Sequence, residues 1–289
     1  MTIPGFTDRA ARLGGPRIAW SEGGAGPPLL LLHGFPQTRA LWARVAPRLA
    51  RTHRVICPDL RGYGASGKPQ EIAAYSFREM ARDQIALMQH LGFPNFSVAG
   101  HDRGGRVAHR LALDAPQAVA RACVMDIVPT LTLLDPLRRE VAQAYYHWFL
   151  LAQPAPFPET LIGHDPDAFY HACLLGWGGA RLGDFDAAQL AAYRAAWRDP
   201  DTTRAMCNDY RAALAHDVHH DAADADRRIA CPLLVLYGAD GAMARHFDIT
   251  ATWAPKAARM DSAALPGGHF FVDTAPEATA RALERFFPV

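Results

Sequence analysis

The stretch Phe96–Arg106, FSVAGHDRGGR, constrains this chain more than any other. A short apolar run (Phe96, Val98, Ala99) stops at Gly100; two residues later stands an acid, Asp102, with Gly104 and Gly105 beyond it. Small residues on both sides of a reactive side chain are the pattern of a nucleophile elbow, where a strand turns sharply into a helix and holds one side chain in a strained, exposed pose. The local alternative is a plain strand, turn and helix start with Asp102 as an N-cap. The remainder of the chain has to decide between them.

The residue type restricts the chemistry. A serine here would need a base to remove its proton and would attack a carbonyl, whereas an aspartate is ionised at neutral pH and needs no base for its first step. Attack on an acyl carbon would give a reactive anhydride. Attack on a saturated carbon gives an ordinary ester that base-activated water can hydrolyse, so Asp102 points to displacement at an sp3 carbon.

Apolar runs ending in turn residues alternate with helical patterns through the first half. Pro28–Leu32 runs into His33-Gly34-Phe35-Pro36, Leu41 to Leu49 has helical spacing, and Arg54–Pro58 ends in Asp59-Leu60-Arg61-Gly62-Tyr63-Gly64. Ser76-Phe77-Arg78-Glu79 reads as a capping box opening a helix to about Leu91. The strand into Asp102 follows, then a helix from Arg103 to about Leu113 and a strand Ala122–Met125 ending in Asp126. Fully apolar strands separated by helices predict a mostly parallel sheet buried on both faces. Ligands of such sheets sit beyond the carboxyl ends of the strands, where His33, Asp59, Asp102 and Asp126 all fall.

From about Leu131 to Asp226 there is no strand pattern, only helical stretches rich in aromatics (among them Tyr145, Tyr146, Trp148, Trp177, Tyr193 and Tyr210) and broken by prolines. We read this as a helical cap over residues 131–226, inserted into an α/β core of residues 1–130 and 227–289. Leu233 to Tyr237 resumes the strand pattern, ending in Gly238-Ala239-Asp240, and Ser262 to Leu265 leads into Gly267-Gly268-His269-Phe270. Pro276 to Phe287 closes as an amphipathic helix.

Composition sets the outer bounds. Half of the 289 residues are hydrophobic, enough for a full core, and the formal net charge is +1. No basic run suggests nucleic acid, no stretch reaches membrane-span length, and the N-terminal segment has no apolar leader. The five cysteines are scattered, without a CxxC pair, so neither a disulfide framework nor a thiolate metal site is expected. These features predict a protein of the cytoplasm with no metal and no cofactor. The run His216–Asp221 has a metal-like composition without fixed ligand spacing and reads as a solvated segment.

Nucleophile, then acid, then histidine is the chain order of the α/β-hydrolase fold, and Asp102, Asp126 and His269 follow it. Asp102 needs no activation, so His269 must serve the second step, taking a proton from the water that attacks the alkylated carboxyl while Asp126 holds the imidazole. Backbone N–H groups of Phe35 and Arg103 are the expected oxyanion donors. Asp240, after the strand that follows the cap, competes with Asp126 for the role of acid.

The chain resembles the haloacetate dehalogenases, the fluoroacetate dehalogenases in particular, over nearly its whole length. The resemblance rests on HGFPQ (His33–Gln37), DLRGYG (Asp59–Gly64), GHDRG followed by Arg106, MDIVPT (Met125–Thr130), YHWFLLAQPAP (Tyr146–Pro156), MCNDYRA (Met206–Ala212) and GHFF (Gly268–Phe271). It implies Asp102 as nucleophile with Asp126 and His269 as partners, and Arg103 and Arg106 as binders of the substrate carboxylate. It also implies His147, Trp148 and Tyr210 as the halide pocket, Trp177 lining the access channel, and a homodimer. Three residues apart on the helix after the elbow, Arg103 and Arg106 share a face, as a carboxylate clamp requires. His147 and Trp148 are helix neighbours pointing about 100° apart, so both reach one ion only if it sits at the edge between them. Gly105 and His109 depart from residues common in relatives, both on the helix behind the nucleophile.

The expected activity is hydrolysis of a small-molecule haloacid, fluoroacetate to glycolate and fluoride being the foremost reading. The alternatives are a haloacid dehalogenase limited to chloro and bromo substrates and an epoxide hydrolase with the same Asp-His-acid machinery. The latter needs a pair of cap tyrosines as acids and has no use for Arg103 and Arg106. A haloalkane dehalogenase would carry Trp where this chain has Arg103. A non-catalytic relative would keep the pocket and lose turnover, against which the complete set Asp102, Asp126 and His269 argues.

Overall fold

Residues 2–288 are described by the computed structural model; Met1 and Val289, the outer limits of the expected core, lie outside them. The eight strands are β1 (Thr7–Arg12), β2 (Arg17–Gly23), β3 (Pro28–Leu32), β4 (Arg54–Pro58), β5 (Phe96–His101), β6 (Val119–Met125), β7 (Leu233–Gly238) and β8 (Met260–Leu265). They form one sheet in the order β1-β2-β4-β3-β5-β6-β7-β8. The pairings β3–β4, β3–β5, β5–β6, β6–β7 and β7–β8 are parallel, while β1–β2 and β2–β4 are antiparallel.

The apolar runs explain the parallel part. Leu30 and Leu32 of β3 pack on one face with Val98 and Val124, and Leu29 and Leu31 pack on the other with Ala99 and Cys123. A strand buried on both faces has no polar side to show water, and each buried leucine contributes about 1.5–3 kcal/mol. The antiparallel hairpin β1–β2 escapes a search for apolar runs because TDRAAR of β1 is almost wholly exposed. It is held through its pairing with β2, whose Ile18, Ala19 and Trp20 are buried.

Helices cover both faces. Ser76 Oγ accepts the Glu79 N–H at 3.3 Å and opens the helix Phe77–His90, and the Asp217 carboxylate accepts the Phe77 N–H at 3.0 Å. Asp217 therefore corrects the reading of His216–Asp221 as solvated: this member of the run is buried and caps a helix. Pro276–Phe286 packs Ala280 and Leu283 into the core.

Between β6 and β7 lie only helical segments among the described residues, from Thr130–Leu134 to Val218–Ala223. The interior of this insertion is aromatic: Trp148, Tyr170, Tyr193, Trp197 and Tyr210 are all buried. It docks on the loops after β3 and β4. Gln189 Nε2 donates to the carbonyls of Ala40 and Leu41 at 2.9 Å each, and Asn208 Nδ2 donates to Gln70 O at 3.0 Å. These bonds close a helical roof over the carboxyl ends of the parallel strands.

Candidate active site

Asp102 follows β5 with φ 49° and ψ −116°, and Asp126 follows β6 with φ 52°. Among the described residues these are the non-glycine positions with positive φ. Such backbone costs on the order of 1–3 kcal/mol and persists only where its surroundings over-determine it. Here the sheet does so: the Asp102 N–H donates to Met125 O at 3.1 Å and the Asp126 N–H to Leu236 O at 2.8 Å. The small residues of the elbow have a steric cause, since a Cβ on Gly100 would lie 2.1 Å from Gly104 O and one on Gly104 would lie 2.4 Å from His33 O. Strand and helix can approach this closely only without side chains at those positions.

The triad geometry follows from these strand ends. His269 Nδ1 meets Asp126 Oδ2 at 2.6 Å, and Asp126 Oδ1 accepts the Gly238 N–H at 2.9 Å. Asp240 is exposed, and its backbone N–H bonds Gly267 O; the acid on the histidine is Asp126. His269 Nε2 has no hydrogen-bond partner and lies 3.7 Å from Asp102 Oδ2, a spacing at which a water can stand between ring and carboxyl group. Asp102 Oδ1 accepts the Phe35 N–H at 2.9 Å, which places the expected oxyanion donor on the Asp102 carboxylate itself.

Charge follows geometry. Burial works to raise the Asp102 pKa, but the charges of His269, His101 and Arg103, with the Phe35 N–H, bring it down to about 2. Burial opposes the charged form of His269, and the hydrogen bond and charge of Asp126, with Asp102, overcome it and lift its pKa above 6.5. His101, buried beside Asp102, is pushed down to about 4 by burial and by the His269 charge; its ring Nε2 lies 2.8 Å from His269 O. It is a neutral packing group that fixes the histidine loop.

The two arginines differ in the partners the protein gives them. Arg103 is fully buried and gives its fork to Asp209: Nε donates to Oδ2 at 2.9 Å, and Nη2 donates to Oδ1 and to the Asp209 carbonyl. Tyr63 adds its hydroxyl to the same carboxylate at 2.6 Å, and only Nη1 of Arg103 is left without a partner. A buried guanidinium needs a counter-charge, and the cap supplies it. Burial works against the Arg103 charge, yet Asp209 holds its pKa above the ordinary guanidinium value.

Arg106 has no carboxylate of its own. Its Nη1 donates to Val128 O and Thr130 Oγ1 at 3.0 Å each, and its Nε is buried without a partner. Burial and the Arg103 charge pull its pKa down to about 10. A positive group in this setting is short of an anion.

Aromatic rings of the cap close the site. The Trp148 ring lies 4.9 Å from Arg103 Cζ and 4.8 Å from Arg106 Cζ. Tyr210 meets His147 edge-on at 5.4 Å and Trp148 at 5.2 Å, so one phenol ring gathers the two helix neighbours. The Tyr210 hydroxyl and His147 Nδ1 are buried without partners. Burial drives the His147 pKa well below 6.5, so its ring is neutral, and it holds the Tyr210 phenol protonated. Phe35 stacks on His147 at 5.8 Å, and Trp177 packs 4.1 Å from His147 and 5.4 Å from His269, its carbonyl accepting the His269 N–H at 3.2 Å.

Other strand-end residues hold the scaffold together. His33 Nε2 accepts the Leu60 N–H at 3.0 Å, and Asp59 accepts the N–H groups of Arg39 and Ala65. Sequence reasoning passed over Asp209, Tyr63 and Tyr145, and also over Asp273, which accepts from Gln37 at 2.5 Å and from Tyr193 at 2.8 Å. Asp209 sits beside Tyr210 in MCNDYRA and Tyr63 lies in DLRGYG, so position within these motifs was the available signal. Among the described residues no group of His, Cys, Asp and Glu side chains could hold a metal ion.

With this geometry in place, similarity to known proteins adds independent information. Residues 27–276 match the model of the alpha/beta hydrolase fold. The chain is 51% identical to a fluoroacetate dehalogenase of a Burkholderia species, over 98% of this chain and 94% of that protein. It is 31% identical to a soluble epoxide hydrolase of Corynebacterium sp. strain C12, over 98% and 97% of the two chains. A solved structure from Nostoc sp. PCC 7120, described provisionally as an alpha/beta hydrolase, matches with a TM-score of 0.96 at 43% identity, covering 99% of each chain.

Proposed function

The chain belongs to the α/β-hydrolase family, and on that premise we propose that it is a haloacetate dehalogenase, converting fluoroacetate to glycolate and fluoride through an ester of Asp102. The observation that carries this reading is Arg106: a buried guanidinium on the helix that starts at the nucleophile, bonded only to neutral oxygens. A substrate carboxylate supplies its missing anion, with Arg103 Nη1 as a further donor. An uncharged substrate would leave that charge unpaired.

Held this way, the carbon next to the carboxylate faces Asp102, whose low pKa keeps it ionised. Asp102 Oδ2 displaces the halide, and the neutral donors His147, Trp148 and Tyr210 receive it. Fluoride is a poor leaving group, so these hydrogen bonds must carry much of the stabilisation. In the second half His269 takes a proton from water, the hydroxide attacks the Asp102 carboxyl carbon, and the oxyanion forms against the Phe35 N–H. The His269 imidazolium, stabilised by Asp126, returns its proton to the departing glycolate oxygen.

The 51% identity to a fluoroacetate dehalogenase supports the same reading. No helix among the described residues is long and apolar enough to cross a membrane. We propose a cytoplasmic homodimer on the strength of the resemblance. The test is halide release from fluoroacetate, chloroacetate and a simple uncharged epoxide. Fluoride and chloride release with little epoxide opening is expected; preference for the uncharged epoxide would reject the assignment.

A further inference from the structure

Dehalogenation uses hydrogen-bond donors on the leaving-group side but no acid, because a departing halide accepts hydrogen bonds and takes no proton. The cap nevertheless packs two phenols around His147, a ring expected on that side. Tyr145 and Tyr210 both pack against the His147 ring, at 6.0 and 5.4 Å. Both hydroxyls are buried without a hydrogen-bond partner. Both are held protonated by burial, with the Asp102 charge adding to it. Two buried, neutral phenols with free protons beside an ionised nucleophile are more than a halide requires.

We propose that the same site opens epoxides bearing a carboxylate on the ring, with 2,3-epoxypropanoate (glycidate) as the smallest, and that Tyr210 supplies the proton. The proposal rests on the reading of Asp102 as nucleophile and Arg106 as carboxylate holder. Glycidate keeps the frame of a haloacetate: its carboxylate is attached to the carbon under attack, its ring oxygen stands where the halide would, and it is one non-hydrogen atom larger than chloroacetate. Asp102 Oδ2 bonds to that carbon as the carbon–oxygen bond of the ring breaks, and the electron pair goes to the ring oxygen. An alkoxide is about as basic as hydroxide, whose parent water has a pKa of ~15.7, so it takes the proton of a phenol outright.

Tyr210 is the better placed acid, because Arg103 Cζ lies 4.3 Å over its ring and stabilises the phenolate left behind. Tyr145 donates a second hydrogen bond to the same oxygen. Water, activated by His269, then splits the ester. One of its protons passes through His269 to the product hydroxyl, and the other returns from the Asp102 carboxyl to Tyr210. Glycidate and water give 2,3-dihydroxypropanoate with no other reactant.

The experiment compares glycidate with glycidol, the same epoxide without the carboxylate, and runs chloroacetate and bromoacetate on the same preparation. Glycidate is expected to be opened with kcat/KM at least ~100-fold above glycidol, the order lost when a buried charge meets no partner. His269→Asn should gain the mass of one whole glycidate molecule. Tyr210→Phe should lower kcat/KM for glycidate at least ~10-fold more than for bromoacetate, whose leaving group needs no proton. Chloride release with glycidate untouched overturns this proposal and leaves the dehalogenase reading standing; turnover of neither overturns both. Equal rates on glycidate and glycidol, or equal losses on both substrates in Tyr210→Phe, also overturn it.

Discussion

Arg103 and Arg106 stand one helical turn apart and both lie buried beside Asp102, yet the protein gives them different partners. Arg103 is tied by its fork to Asp209 of the cap and is a strut between the two parts of the fold. Arg106 bonds only a carbonyl and a hydroxyl, and in the proposed reaction it holds the incoming anion. Buried charge of one chemical type thus becomes structure or function according to whether the chain supplies its counter-charge.

The largest effect that would break this contrast is on stability. Asp209→Asn strands the Arg103 charge and should cost about 3–5 kcal/mol in denaturant unfolding. Arg106→Leu removes a charge that has no protein counter-ion and should leave the unfolding midpoint unchanged or raised. It should instead lose about 1.5–3 kcal/mol of transition-state binding for haloacetate, roughly 10- to 150-fold in kcat/KM. If Arg106→Leu unfolds as easily as Asp209→Asn, the two residues are both struts and the distinction fails.

Titration sharpens the contrast further. Haloacetate KM should rise as pH passes about 10, where Arg106 loses its proton, while Arg103, kept charged by Asp209, still holds the cap. The far-ultraviolet circular dichroism should stay constant through that rise; simultaneous unfolding would put the alkaline loss on the strut instead.

The smallest effect is on ester formation. Asp102 is ionised far below neutrality, so a burst of halide in the first turnover should vary less than about twofold from about pH 5 to about pH 8. Steady turnover should fall on the acid side, with a midpoint above 6.5, because His269 is a base only when unprotonated and Asp126 raises its pKa. A burst that falls in step with turnover would mean that His269 serves the first step too.

The nearness of Asp102, Asp126 and His269 was legible in the sequence because each sits at or just beyond the end of an apolar strand: Asp102 after FSVAGH, Asp126 after ACVM, His269 after Gly267-Gly268. The rivalry with Asp240 was open in the sequence and is resolved by where β6 and β7 bring their ends relative to the histidine. The inequality of the arginines was not legible. It depends on Asp209, 106 positions away from Arg103, and periodicity along one helix says nothing about a partner on another. Tyr145 was hidden for a related reason: in a cap whose interior is built of aromatics, a buried phenol with an unpartnered hydroxyl reads like one more core residue. The hairpin β1–β2 was missed because an exposed edge strand needs no apolar run.

The central claim is that Asp102 forms and loses a covalent bond to substrate in every cycle. A single turnover of chloroacetate in heavy-oxygen water, followed by mass analysis of the peptide containing Asp102, tests it most directly. The label is expected in the Asp102 carboxyl group, with the first glycolate unlabelled in its hydroxyl. Label in the first glycolate and none in the peptide would mean that water attacks the substrate itself.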